Sequence, residues 1–462
     1  MKSLKIGTIL VAFAMATFAF APEAFAFHEG GVAYCDGCHT MHNAAVTIDR
    51  NTGLGTINQA VSKNHTGTMF QGQNYLLQGS DDSSTCLNCH ASASAGGYHI
   101  MTFPAPAKGT APANTTPGGD FAWLTQTFTG DLSYMPVGSN TYLSKGERHG
   151  HNVVAADFGL LADTTLLTAP GGTYAAGKLA CTSCHDPHSR ARVVDVNGTI
   201  AYNQLGAKTL PIAGSGSYGA VATATEAVGV YRLLGGKNYV NEGANYTFTT
   251  DSPVAVAPST YNRTEAVTDT RVAYGKGMSE WCANCHTDIL NGAVGMGGTK
   301  LIHPAGNGAT LANATTVWGA PTTQAGIYNA YKASGDLTNT VATSYTSLVP
   351  YEEGTTIIAT LLTDSAATTG PSTGTENVMC LTCHRAHAGG FDSSTRWTNR
   401  GEFLTVAGAW PGTELTATRE TSGAQYSNGM NSTELKAAMG GRDATKFATY
   451  QRSLCNKCHA KD

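Results

Sequence analysis

The sequence predicts one continuous, predominantly irregular domain with few short α-helices, little β-strand, and a core built around bulky cofactors. Three observations predict it. All 12 cysteines fall in Cys-x-x-Cys-His motifs, six times over, with none left over. Charged residues make up 13% of the chain and Gly fills 54 of 462 positions, against about 25% and ~7% in ordinary domains. Apolar runs of helical or strand period are few. A chain so rich in Gly, Thr and Ala struggles to bury a core of side chains alone, and large apolar groups in its interior remove that difficulty.

The motifs are Cys35/Cys38/His39, Cys86/Cys89/His90, Cys181/Cys184/His185, Cys282/Cys285/His286, Cys380/Cys383/His384 and Cys455/Cys458/His459. Paired cysteines alone also fit a zinc ribbon, a thiol redox motif or a disulfide framework. The histidine decides between them. Only 15 of 462 residues are His, yet one follows each of the six pairs. Two thiols so spaced form thioethers to the two vinyl groups on one porphyrin edge, and the adjoining imidazole swings beneath the ring to ligate iron. Cys-x-x-Cys-His is the haem-attachment signature. The expected fold class is therefore a multihaem c-type cytochrome, its core six stacked, covalently attached haem c groups. The twelve cysteines supply the thioethers, and His39, His90, His185, His286, His384 and His459 are the proximal iron ligands.

In chain order, residues 1–26 read as a signal peptide. Lys2 and Lys5 form a basic start, Ile6 to Phe20 is apolar and uncharged, and Ala24-Phe25-Ala26 is a small-x-small cleavage site. The mature chain is expected to be exported and to run from residue 27 to 462 as a single hexahaem domain. Its net charge of −4 becomes −5 once residues 1–26 are removed. No long basic run points to nucleic acid, and no later segment is apolar enough to span a bilayer. Residues 51–80 are polar and read as loop. Pro-Gly-Gly at 117–119 and 170–172, and the stretch Ser252 to Ser259, mark turns and irregular chain. A short helix is expected at Met278–Trp281, entering the fourth motif, and another near Gln324–Ser334. Ile357–Leu362 fits strand or helix. At the C-terminus Asp443 reads as an N-cap, with Phe447, Tyr450 and Leu454 at helical spacing behind it. Motif starts are separated by 51, 95, 101, 98 and 75 residues, which is no repeat period.

Each iron needs a second axial ligand or stays open for chemistry. Nine histidines remain: His28, His42, His65, His99, His149, His151, His188, His303 and His387. Three share a pattern. His42, His188 and His387 each lie three residues after a proximal histidine, hence on the same face of a helical turn. Two ligands of one iron approach from opposite faces of a wide ring, so a histidine three residues on is poorly placed for its own iron and well placed for a neighbour's. His303 sits in His-Pro-Ala-Gly, His99 follows Gly-Gly-Tyr, and His28 is the second residue of the mature chain. His149 and His151 are two apart, so in extended chain they point to opposite sides and one of them is expected to serve. His65 reads as surface. The distal candidates are thus His42, His99, His151, His188, His303, His387 and His28, seven for six positions.

At this point the chain resembles the OmcS-like family of hexahaem outer-surface cytochromes that polymerise into filaments. The resemblance rests on Phe27-His28 with Gly30-Gly31-Val32-Ala33, on His39-Thr40-Met41-His42, and on Thr116-Pro117-Gly118-Gly119-Asp120-Phe121. It extends through Ala257 to Glu265, Gly277 to Asp288, His303 to Gly308, His384-Arg385-Ala386-His387, and the terminal Cys455 to Asp462. It implies six bis-histidine haems in a continuous chain, favours His151 over His149, and gives His65 no support. It also implies that His42 ligates the iron of the His384 haem in the next subunit of a head-to-tail homopolymer.

The function expected is extracellular long-range electron transfer, with metal oxides, electrodes or partner cells as acceptors and periplasmic or outer-membrane cytochromes upstream. An alternative is a discrete periplasmic or outer-surface carrier, or a terminal reductase, acting as a monomer; its motifs are the same and His42 discriminates. An enzyme with an open haem is disfavoured, because all six motifs are regular and histidines are in surplus.

Overall fold

The computed structural model describes residues 35–39, 46–48, 55–57, 76–95, 98–131, 141–188, 191–196, 199–203, 212–215, 217, 221–241, 244–257, 264–266, 271–291, 305–311, 327–329, 349–365, 370–371, 374–401, 403–415, 426–452 and 454–458. Most of this chain is turn and irregular structure, with short helices and small sheets.

Most of the described helices lie at or beside the cysteine motifs. The helices are α1 (Cys35–Cys38), α2 (Asp82–His90), α3 (Met278–Cys282), α4 (Thr287–Asn291), α5 (Ile358–Ser365), α6 (Cys380–Cys383) and α7 (Ser432–Ala438). The third and sixth motifs instead form 3₁₀ turns at Cys181–Ser183 and Leu454–Lys457. Helix α2 shows why a turn forms here. Asp81 caps it, its side chain accepting from the Ser84 amide at 2.7 Å, which satisfies one of the donors a helix start leaves open. The expected helix into the fourth motif is α3, and the ambiguous apolar run at 357–362 is helical in α5. Of the helix expected at Gln324–Ser334, residues 327–329 are helical and the rest lie outside the described residues.

The C-terminal expectation is corrected. Asp443 does cap, accepting from the Thr445 amide at 2.9 Å, but only a 3₁₀ turn at Ala444–Lys446 follows, and Phe447 is extended. The chain beyond it has lateral partners instead. The Leu404 amide donates to the Gln451 carbonyl (2.7 Å) and the Gly408 amide to the Thr449 carbonyl (2.9 Å). The Gln451 amide donates to Thr405 Oγ1 (3.0 Å). Phe447 meets Trp410 edge-on at 5.4 Å. These contacts satisfy the backbone groups that a helix would have paired internally. Helix α7 carries a capping box: Asn431 accepts from the Glu434 amide while Glu434 accepts from the Asn431 amide, both at 2.8 Å.

The largest sheet among the described residues has four strands in the order β2-β1-β4-β3, with β1 at Arg192–Val196, β2 at Thr199–Asn203, β3 at Ile212–Ser215 and β4 at Ala227–Gly229. Val196 pairs with Thr199, so a two-residue connection, Asn197-Gly198, joins β1 to β2. Asn-Gly between apolar runs is the strongest short hairpin signal. One apolar cluster joins residues near the second motif, such as Leu87 and Met101, to Trp123, Phe391, Leu435 and Leu454 in distant segments. A second packs Val193, Val228 and Val230 against Ile358 and Leu361 of α5.

Candidate haem-binding centres

In the third, fourth and fifth motifs the two cysteines and the histidine share one turn. The His185, His286 and His384 amides donate to the carbonyls of Cys181, Cys282 and Cys380 at 3.0, 3.1 and 3.0 Å. In a helical turn, residues three and four apart point the same way, which brings two sulfurs and an imidazole to one side. The cysteines are free thiols here and stand for the thioether sulfurs of the attached cofactor.

The imidazoles are held in one tautomer. Nδ1 of His90, His185, His286 and His384 donates to the carbonyls of Tyr98 (2.9 Å), Arg232 (2.7 Å), Pro170 (2.9 Å) and Ser393 (2.8 Å). His151 Nδ1 donates likewise to the Ala386 carbonyl at 2.7 Å. A carbonyl only accepts, so Nδ1 carries the proton and Nε2 keeps a free lone pair. A carbonyl bond of this kind fixes the orientation of a metal-ligating imidazole.

Three rings of proximal histidines face rings from remote segments. His39 lies 6.3 Å from His188, centroid to centroid, with planes 7° apart. His185 and His387 are 6.5 Å apart, tilted 55°, and His151 and His286 are 6.1 Å apart, tilted 49°. Two imidazoles on one metal, with bonds of about 2.0–2.1 Å, place their centroids roughly 6.3 Å apart. The residues present therefore fit an iron–porphyrin group. Burial chiefly, and then the charge of the facing histidine, hold His151 down at about 4 and His387 at about 3, so both are neutral, the form that binds metal. His387 Nδ1 is buried without a hydrogen-bond partner, and Phe121 stacks on its ring at 4.8 Å.

His149 is the contrast. It is fully buried, yet Nδ1 contacts the Trp123 carbonyl at 3.0 Å and Nε2 contacts Ser144 Oγ at 2.8 Å. Both nitrogens are engaged in packing. Of the distal candidates, His99, His151, His188 and His387 are described; His28, His42 and His303 lie outside the described residues, as do His459, the side chain of Cys35, and His65. Tyr98 touches both His90 (5.6 Å) and His99 (4.7 Å), so His99 lies close to the second motif.

The segments that carry His149, His151 and His387 are tied together. The His151 amide donates to the His387 carbonyl, the His387 amide to the Gly118 carbonyl, and the Gly389 amide to the His149 carbonyl, each at 2.9 Å. Gly119, at φ +91°, passes so close to this knot that a Cβ would sit 1.7 Å from the Ala388 carbonyl oxygen. Beneath it lies a buried charge cluster that sequence reasoning did not anticipate. Glu265 accepts from Arg385 (2.8 Å), Arg396 and Arg442 (3.3 Å). Arg385 also donates to the carbonyls of Thr116 (3.1 Å) and Pro117 (3.3 Å). Its position between His384 and His387 was the available signal.

The motifs neighbour one another in sequence order. Cys38 lies within electrostatic range of Cys86, and Cys86 and Cys181 share a side-chain hydrogen bond. Cys184 faces Cys285, Cys282 contacts Cys380, and Cys383 faces Cys455 and Cys458. Among the described residues, no helix is long and apolar enough to cross a membrane.

No protein-family model matches the chain. It is 51% identical over 474 aligned residues to the C-type cytochrome OmcS of Geobacter sulfurreducens, covering all of both chains. It is also similar to two solved structures, described as OmcS nanowires and as an outer-membrane cytochrome S filament from that organism. The TM-scores are 0.75 and 0.74, each at 48% identity over 94% of this chain and all of the other.

Proposed function

This chain belongs to the OmcS family of c-type cytochromes, and from that premise we propose that it carries electrons outside the cell through six covalently bound haem c groups. In this reading it polymerises head to tail into a conducting filament. The observation that carries the proposal is the set of three imidazole pairs, each joining a motif histidine to one from a remote segment at iron-spanning distance. The twelve cysteines form the thioethers, and the proximal ligands are His39, His90, His185, His286, His384 and His459. His188, His387 and His151 serve the irons of His39, His185 and His286. His42, His99, His303 and His28 are the candidates for the irons of His90, His384 and His459.

Haem iron with two imidazoles exchanges one electron without making or breaking bonds. This chain's residues do the positioning. The carbonyl-bound Nδ1 atoms fix ring orientation, and the helical turns set the motifs side by side in order. With both axial positions filled, no site for substrate is left, so the chain acts as a carrier and not an enzyme. Acceptors are external, such as metal oxides, electrodes or partner cells, and donors are upstream periplasmic or outer-membrane cytochromes.

The interface between subunits is heterologous, which extends without closing. The two described ligands of Cys-x-x-Cys-His-x-x-His type support a rule. His387, from the fifth motif, faces the third, and His188, from the third, faces the first. His42, from the first motif, then serves the fifth motif of a neighbouring subunit. The test is electron microscopy of purified mature protein, expected to show filaments. His42→Ala is expected to keep six haems per chain by the pyridine haemochromogen assay and yet give monomers. Monomeric wild type, or unchanged filaments in the variant, overturns the proposal.

A further inference from the structure

Two carboxylates, one buried and one half-buried, stand beside the fourth and fifth attachment sites. Glu352 is fully buried, on a segment bridged to Tyr274 on one side and to Asn377 on the other. One of its oxygens, Oε1, accepts from Asn377 Nδ2 at 3.2 Å, and the Gly277 and Met278 amides also donate to the carboxylate. Its Oε2 is buried with no donor. Glu280, on α3, accepts the Asn307 amide at 2.7 Å through Oε1, and its Oε2 is likewise buried with no donor. The two carboxylates repel one another. Two buried oxygens lacking donors, on mutually repelling groups, are an arrangement that one proton relieves.

The surroundings do not supply a cation instead. Arg271 is taken up by Glu353, both 6% exposed. Lys276 is exposed, Glu376 accepts from the Gly374 amide, and burial pushes the Tyr274 hydroxyl up, keeping it neutral. No described Lys, Arg or His forms an ion pair with Glu280 or Glu352. The site is nevertheless close to the cofactors. Glu280 lies two residues before Cys282, its charge acts on Cys380, and those two cysteines touch. The Cys380 amide donates to Ser279 Oγ at 3.1 Å.

We propose that Glu280 and Glu352 share one exchangeable proton, taken up from water when an electron arrives at the haems attached through Cys282 and Cys380 and released when it leaves. One electron from the upstream donor and one proton from solvent enter together and depart together, and no covalent bond to carbon forms or breaks. An added electron makes the neighbourhood more negative, so proton affinity rises on reduction and the potential falls as pH rises. Burial first, and then the Glu280 charge, push Glu352 up to about 7, which puts the exchange near neutral pH. As a coupled pair the two carboxyls titrate jointly. Full coupling changes the redox equilibrium tenfold per pH unit, about 59 mV for one electron.

This inference rests on the haem reading above, and its test separates the two. The intact protein is first assayed for six haems; fewer than six overturns that reading. Spectroelectrochemical titration at about pH 6, 7 and 8 is then expected to show part of the wild-type redox envelope falling with pH. Reduced-minus-oxidised infrared spectra are expected to show a carboxylic acid C=O band. Glu352→Gln loses both signals. Glu280→Gln, which removes the repelling charge, moves the pH-sensitive range lower. Six haems with no pH slope and no infrared band in wild type overturns the proposal without recourse to any variant. An unchanged slope in Glu352→Gln also overturns it, as does a slope abolished by calcium chelation, which assigns the pair to a divalent cation.

Discussion

Replacing Glu265 with Gln is expected to destabilise the protein by about 3–5 kcal/mol, the range for removing one partner of a buried ion pair. The cluster makes a cost in this range unavoidable. Glu265 faces Arg385, Arg396 and Arg442, and the side chains of Glu265, Arg385 and Arg396 are only 6%, 3% and 5% exposed. Neither of the two most buried guanidiniums can swing to solvent. Arg385 also holds the carbonyls of Thr116, Pro117 and Ala438, and Arg396 those of Leu381 and Pro117. The pH dependence gives a second estimate. Burial alone pushes the Glu265 carboxyl up, but the three guanidiniums together outweigh it and hold it at about 2. A folded pKa below the unfolded value of about 4.3 stabilises fully above that value, and the stabilisation drains away as pH falls towards 2. A gap of roughly two units corresponds to ~3 kcal/mol. The assay is reversible unfolding of the holoprotein followed by circular dichroism, from about pH 6 to pH 3. Lys145→Gln is the control, because its pair with Glu147 is exposed at 53% on the lysine side and is worth at most about 1 kcal/mol. A Glu265→Gln loss below 1 kcal/mol, or an acid profile unchanged by the substitution, refutes the argument.

Three further outcomes concern the same knot of chain. His149→Leu is expected to keep every iron low-spin while losing about 1–3 kcal/mol, since two buried hydrogen bonds are lost, although Ser144 Oγ keeps Asp392 and the Trp123 carbonyl keeps the Gln126 amide. His151→Ala is expected to turn one iron of six high-spin in the oxidised visible and electron paramagnetic resonance spectra, and the reverse pattern contradicts the ligand assignment. Gly119→Ala combines a left-handed φ with a Cβ driven into the Ala388 carbonyl. Gly109→Ala has a similar φ of +96° in open space and bears only the conformational cost of about 1–2 kcal/mol. Thermal unfolding should therefore rank Gly119→Ala as clearly the worse, and equal losses would remove the close approach as the cause.

What was legible in the sequence was the chemistry with a fixed spacing. Cys-x-x-Cys-His is a local pattern, so six attachment turns could be read without a fold. So could the argument that His188 and His387 miss their own motifs, since it needs only helical geometry. Other local signals were present in the sequence. Asn197-Gly198 between Val-rich and Ile-containing runs marks the β1–β2 hairpin, and Asn431 with Glu434 marks the start of α7. The C-terminal helix failed for a different reason. Its period was real, but the Leu404–Gly408 segment, forty residues upstream, competes for the same backbone groups, and only tertiary structure reveals that competition. Glu265 was illegible in the same way. Its three arginines lie 120, 131 and 177 residues away, and no periodicity links them.

That cluster also bears on how the ligand pairs are held. Arg385 stands between His384 and His387, and its side chain pins the carbonyls of Thr116 and Pro117. The next residue, Gly118, accepts the His387 amide, and His387 in turn accepts the His151 amide. One buried guanidinium thus sits beside the fifth motif, where His387, which faces the third, and His151, which faces the fourth, converge. A polypeptide with so few regular elements cannot orient three imidazoles by helix packing. It can do so by tying irregular segments to a charge that has nowhere else to go. Conformational specificity is the attested use of buried ionic groups, and here it would act on ring orientation. The prediction about Glu265 therefore reaches beyond stability: loosening the cluster should disturb the low-spin signature of the irons bound by His387 and His151 before the chain unfolds. If those irons stay low-spin up to the midpoint of unfolding in Glu265→Gln, the cluster holds the fold but not the ligands.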